Sequence, residues 1–272
     1  GVLNGTCNYI LSEMATNGTA YAEVLETAQR LGYAEADPTT DVGGWDAAHK
    51  LAILAALAFG TRIDVDGVVV EGIERVSAED IRTAHDMGLA IRLLGLAQLT
   101  AKGLEQRVRP VMVPEASAIG ALPGVTNAVV VEGEAIGRVA LTGPGAGAGP
   151  TASAVLADVI ALARGQTAPL FGRPATGLAA APRLAEGDEH APHYLRFMLR
   201  DEPGTLATVA AGLGGEGVSI QRMHQYDGDP AEVPVVIITH DAARAAIDRA
   251  LAAIDGSGIC AAQPVAMRIE DV

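Results

Sequence analysis

The feature that most constrains the fold is a stretch with no repeat at all. From Gly165 to Pro192 the chain reads GQTAPLFGRPATGLAAAPRLAEGDEHAP, in which proline and glycine recur and neither a 2.0 nor a 3.6 period survives. Patterned sequence lies on both sides, so residues 166–192 are read as a linker and the 272 residues as two cores. After the linker, HYLRFMLR, TLATVAAGLGGEG, VSIQRMHQY, VPVVIITH, a helical run from Ala242 to Ile254 and PVAMRIE follow in the order β-α-β-β-α-β. That is the ferredoxin-like arrangement.

Before the linker the pattern is first helical. Residues 5–16 place Tyr9, Ile10, Leu11 and Met14 near one face, and Asn17-Gly18 stops them. A second helix spans about 20–31, with Gly32 as its C-terminal cap. A polar loop, 33–43, then enters WDAAHKLAILAALAFG, whose apolar second half predicts a helix buried on every side. Ser77 to Asp80 resembles a capping box, weakened by Asp in place of Glu or Gln, and opens a helix to about Met87. IRLLGLAQLT, LEQRVRPVMVP and TNAVVVEGE read as strands, with Pro110 implying an edge or a bulge, and PTASAVLADVIALARG reads as a closing helix. The fold class is α+β: a mixed sheet with helices, then the βαββαβ module.

Composition excludes several functions. The formal charge of −14 repels nucleic acid and anionic lipid. The longest apolar run, Leu51 to Phe59, is about half of the roughly 20 residues that span a bilayer. Cys7 and Cys260 lack the spacing of a zinc site or a disulfide framework, and the first residues carry no signal-like segment, so a cytoplasmic location is expected. The chain opens at Gly1 and runs at once into a helix, from which a cut polypeptide is expected.

The chemistry concentrates in the polar loop. Glu35, Asp37, Asp41 and Asp46 surround Lys50, and the chain has one other lysine, Lys102. Asp46 and Lys50 are four apart and share a helical face, which admits either a solvated ion pair or a site. So many carboxylates call for a cation. The calcium-loop spacing is absent, and a substrate ammonium held by Glu35 and an Asp, with Lys50 near a reacting oxygen, fits an amino-acid substrate.

Three blocks, GVLNGTCNYIL, LGYAEADPTTDVGGWDAAHKLAILA and GPGAGAGPTASAV, resemble those of the homoserine dehydrogenase family in order and interval, over about residues 1–165. The resemblance implies an oxidoreductase that reversibly reduces L-aspartate 4-semialdehyde to L-homoserine with NADH or NADPH, on the route to threonine, methionine and isoleucine. It implies that Gly5, Thr6, Tyr33, Glu35, Asp41 and Asp46 bind the amino acid and that Lys50 is catalytic, with Lys50 or a water it positions as proton donor. A second lysine of the family lies in a nucleotide-binding domain and has no counterpart here, so the isolated chain is expected to be inactive.

Gly145 and Gly147, in GPGAGAG, are weak candidates for contact with the cofactor. A dinucleotide fingerprint needs a preceding strand and an acidic residue about 20 positions on, where Arg164 and Gln166 stand instead. NAD(P)H is therefore expected to bind mainly through the absent domain. Residues 193–272 resemble an ACT domain, with Asp201, Pro203 and Gly204 in its D-x-P-G turn. Pro203 is expected to begin the helix, and the module either binds threonine as an effector or only dimerises. A homodimer or homotetramer, paired through strands at 92–133, is implied, with no nucleic-acid or membrane partner. The competing reading is a noncatalytic amino-acid-binding regulatory protein.

Overall fold

The side chain of Asn4, in extended backbone, accepts the amide hydrogen of Cys7 at 2.8 Å and so begins α1 (Gly5–Asn17). Cys7, Ile10, Leu11 and Met14 are the apolar residues this helix buries, at the spacing of its inner face. In the computed structural model, which describes residues 1–272, the chain divides into two units, Gly1–Arg183 with Val272, and Leu184–Asp271. No helix is long and apolar enough to cross a membrane.

In the first unit α2 (Tyr21–Arg30) ends where Gly32 turns at φ +76, and α3 (Thr39–Val42) is a single short turn. α4 (Trp45–Phe59) starts on Gly44 at φ +84. A Cβ there would stand 3.2 Å from both Val70 and Val108, so the entry to α4 tolerates only glycine. α4 is not buried on every side as its composition suggests. It buries a face of Ala47, Ala48, Leu51, Ala52, Ala55 and Ala56, and leaves Ile53 and Leu57 exposed. Five of the six residues on that face are alanine, and Ile53 and Leu57 fall on the opposite side.

That sheet holds β1 (Val69–Val70), parallel to β3 (Gly103–Pro114), and β2 (Leu89–Thr100), antiparallel to β3. The β2–β3 register runs unbroken from Leu89↔Pro114 to Thr100↔Gly103, so Pro110 sits opposite Leu93 without a bulge. α1, α4 and α5 (Ala78–Asp86) all pack on β2. The capping box of α5 is complete despite its shorter acid, Ser77 and Asp80 exchanging both bonds. β4 (Thr126–Gly133) and β5 (Gly137–Pro144) form a separate hairpin. β5 eluded the pattern reading because almost all of it is exposed, leaving no buried face to print an alternation. α6 (Ala148–Ala163) is apolar yet buries no residue.

The 166–192 stretch is divided between the units. Ala179 bridges Thr61, and Arg183 bridges Leu104 and grips Asp64 with two bonds of 2.6 and 2.7 Å, all within the first unit.

The second unit has β6 (His190–Ala191), β7 (His193–Leu199), α7 (Thr205–Gly215), β8 (Ile220–Gln225), β9 (Val233–Thr239), β10 (Ala242–Ala243), α8 (Arg244–Gly256) and β11 (Cys260–Ile269). Its main strands lie antiparallel in the order β11-β7-β9-β8, the ferredoxin-like order read from the sequence. Phe197, Leu199, Val235 and Ile237 meet Val209 and Leu213 of α7 and Ile247 and Ile254 of α8 in one core. Pro203 lies in the turn ahead of the helix and does not begin it. Gly204, at φ +93, is the N-cap of α7.

His193 is buried at the start of β7, with Nδ1 3.0 Å from the Ala191 carbonyl oxygen. Burial first, and then the charge of Arg244, push the imidazole from 6.5 down to about 4. The unfolded chain takes up a proton between those values and the folded chain does not. The stability of this unit is therefore full above pH 6.5 and falls as the pH drops toward about 4. Denaturant midpoints of the second unit's transition measured across that window should decline, and His193→Asn should flatten the decline. An equally steep profile in the variant would assign the effect to other groups.

Candidate active site

Asp41, Asp46 and Lys50 meet where α1 and α4 begin. Lys50 Nζ donates to Asp46 Oδ2 at 2.7 Å, the i,i+4 pair expected from the spacing, and also to the Leu3 carbonyl oxygen at 3.2 Å. The lysine side chain is 45% exposed, so Lys50 stands at the rim of the site. Taken alone, such a pair contributes about 0.3–0.5 kcal/mol.

It is not alone. Asn4 Nδ2 donates to Asp41 Oδ1 at 2.7 Å and to Asp46 Oδ2 at 2.9 Å, joining the loop to the helix. Cys7 Sγ approaches the Asp41 carbonyl oxygen at 3.2 Å. Burial, and after it the charges of Asp41, Glu74 and Asp46, raise this thiol far above its ordinary range, so Cys7 serves as packing and not as a nucleophile. Burial and then Glu74 push Tyr21 up to about 12. Glu74 is thus a further carboxylate beside the site.

The other candidates form the wall of the loop. Thr6 Oγ1 donates to the Tyr33 carbonyl oxygen at 2.7 Å, and the Tyr33 ring meets that of Tyr9 with centroids 4.8 Å apart. Gln29 holds the Glu35 carbonyl oxygen at 3.0 Å, while Glu35 itself is exposed and joins neither Asp46 nor Lys50. Thr39 clamps Asp37 by its hydroxyl at 2.6 Å and its amide at 3.2 Å, which keeps that carboxyl below its usual range. Gly5 opens α1 where a Cβ would meet the Val125 carbonyl oxygen at 2.8 Å, a close approach of backbone.

Sequence reasoning missed Asn4, the Leu3 carbonyl, Asn127 and Glu74. Asn4 carried one signal, its place immediately before a helix. Asn127 carried none, since it lies in a valine-rich strand, yet its Nδ2 donates to the same Leu3 oxygen at 3.2 Å that receives Lys50.

Asn127 also links this region to the glycine loop. A Cβ on Gly145 would fall 2.0 Å from Asn127 Nδ2, so glycine there permits the contact. Gly147, at φ +108, caps α6. A strand, β5, does precede the loop, but it belongs to a two-stranded antiparallel sheet, and no parallel strand returns beside it. The crossover of a dinucleotide-binding unit is therefore missing, and the loop does not fit as the main NAD(P) site.

Known proteins match the chain in sequence and in fold. Residues 1–160 match the family model described as homoserine dehydrogenase, and residues 193–256 match the ACT domain. Among curated relatives, homoserine dehydrogenase of Neisseria gonorrhoeae is 43% identical over 98% of this chain and 63% of its own length. That of Pseudomonas aeruginosa is 39% identical over 100% of this chain and 64% of its own length. Among solved structures, a homoserine dehydrogenase from Thiobacillus denitrificans superposes with a TM-score of 0.91 at 40% identity, covering 98% of this chain and 62% of that one. One from S. aureus superposes with a TM-score of 0.74 at 28% identity, covering 100% and 63%. The chain thus spans just under two thirds of the length of these relatives.

Proposed function

The chain belongs to the homoserine dehydrogenase family, and on that footing we propose that it carries the amino-acid half of the site for reversible reduction of L-aspartate 4-semialdehyde to L-homoserine. The observation that carries this reading is the state of Lys50. Of the three N–H groups of its ammonium, one is held by Asp46 and one by the Leu3 carbonyl oxygen, which leaves the third for a substrate oxygen. As the carbonyl carbon is reduced its oxygen gains negative charge, and a donor within hydrogen-bond reach stabilises it and passes it a proton. Glu35, Asp41 and Asp46 provide the negative surface for the substrate ammonium, with Gly5, Thr6 and Tyr33 shaping the wall beside it.

NAD(P)H supplies the hydride in such a reaction when bound. Its binding is attributed mainly to a nucleotide-binding domain outside residues 1–272, with Gly145 and Gly147 near its reactive end at most. Residues 1–165 are taken as the substrate domain and 193–272 as the ACT module, for which threonine is the proposed effector. Self-association through the strands at 92–133 belongs to the same reading, supported by the exposed Leu99 and Val131. So does a cytoplasmic location, since Cys7 and Cys260 are both free thiols. A purely noncatalytic sensor is less favoured, because the curated relatives that match the chain along almost its whole length are homoserine dehydrogenases.

In an enzyme joining this chain to a nucleotide-binding domain, Lys50→Ala should lower kcat for homoserine oxidation by roughly 10²–10⁴-fold, the usual range for a lost general acid or base, while Lys102→Ala leaves it unchanged. An unaltered kcat in Lys50→Ala would reduce the pair to a surface salt bridge. Threonine at about 100 times its Kd should stabilise the second unit by about 2.7 kcal/mol in a thermal melt. No shift at any threonine concentration would leave the ACT module as a dimerisation element.

A further inference from the structure

We propose that Asn4 is a positioning residue that fixes the Lys50 ammonium, acting through Asp46 and through its own peptide bond. The role of Lys50 rests on the function proposed above, whereas the positioning itself rests on geometry alone.

The side-chain amide of Asn4 is buried and fully committed. Its Oδ1 accepts the Cys7 amide at 2.8 Å, which fixes the rotation of the amide plane and aims both Nδ2 hydrogens at the carboxylates of Asp41 and Asp46, 2.7 and 2.9 Å away. Asp46 and Lys50 are 30% and 45% exposed, and an i,i+4 pair so open to water is weakly held on its own. The Asn4 donor restrains Asp46 Oδ2, the same oxygen that receives Lys50 Nζ. The second acceptor of that ammonium, the Leu3 carbonyl oxygen, belongs to the peptide bond joining Leu3 to Asn4. A helix cap that orients Asn4 therefore orients both partners of Lys50.

The residue type agrees with this. Asp, Ser and Thr cap helices about as well as Asn. Only Asn joins a capping oxygen to two N–H donors on so short a side chain. An Asp at this position would cap α1 and add a third carboxylate to the first two.

The test uses residues 1–272 with lysine labelled at Cε, which yields two signals, Lys50 and Lys102, assigned with Lys102→Arg. Asn4→Ser and Asn4→Asp both retain a capping oxygen, and melting temperature confirms folding of each. In the unliganded chain the order parameter of the Lys50 Cε group should fall toward that of Lys102 both in Asn4→Ser, where Asp46 is released, and in Asn4→Asp, where a further carboxylate repels it. An unchanged order parameter in both variants overturns the positioning role, whether or not the chain binds homoserine. Homoserine affinity should drop roughly tenfold in both variants and in Asp46→Asn, the loss typical of one hydrogen bond to a charged group. Loss in Asp46→Asn with full affinity in the Asn4 variants overturns the proposal and leaves the site intact. Loss in the Asn4 variants with full affinity in Asp46→Asn also overturns it, because Asn4 then acts by another route. Failure of the parent chain to bind homoserine sinks the substrate reading, and the lysine order parameter still decides the role of Asn4.

Discussion

One amide group joins the two halves of the candidate site. Asn4 starts α1 with its oxygen and, with its nitrogen, ties the 33–44 loop to α4 through Asp41 and Asp46. Without that tie two carboxylates would face each other at the start of α4, and like charges at such a distance repel. With it they are separated by a polarised NH₂ group and a neighbouring ammonium. The left-handed turn at Gly44 completes the arrangement by letting α4 begin against Val70 and Val108. The acidic loop, the helix cap and the lysine are therefore parts of one hydrogen-bonded network.

How much of this was legible in the sequence depends on the range of each interaction. The burial face of α1 and the Asp46–Lys50 pair follow from helical spacing, and both appear as expected. The order of elements in the second unit was legible because β7, β9 and the two helices carry strong apolar periods into a single core. Asn4 to Asp41 and Asp46, and Asn127 to Leu3, join residues separated by 37, 42 and 124 positions, and no local pattern reports such contacts. Pattern also misleads where a segment has no core of its own. α4 reads as buried and exposes Ile53 and Leu57, while α6, read as the helix that closes the domain, is apolar and buries nothing.

The glycine-rich loop illustrates why a motif needs its context. Its strand and its helix are both present, and the sheet is still the wrong kind, an antiparallel hairpin with no returning parallel strand. Its glycines have a simpler use here. Gly145 lets Asn127 approach, and Asn127 holds the carbonyl oxygen that Lys50 shares. Backbone packing and the organisation of the lysine are thus two ends of one short chain of contacts.

The central claim is that residues 1–272 contain a substrate half-site whose working group is Lys50. It is tested most directly by adding homoserine to the chain labelled at lysine Cε and following its two signals. The account predicts that the Lys50 signal moves and saturates while that of Lys102 stays fixed. A stationary Lys50 signal, or equal drift of both signals without saturation, would contradict it.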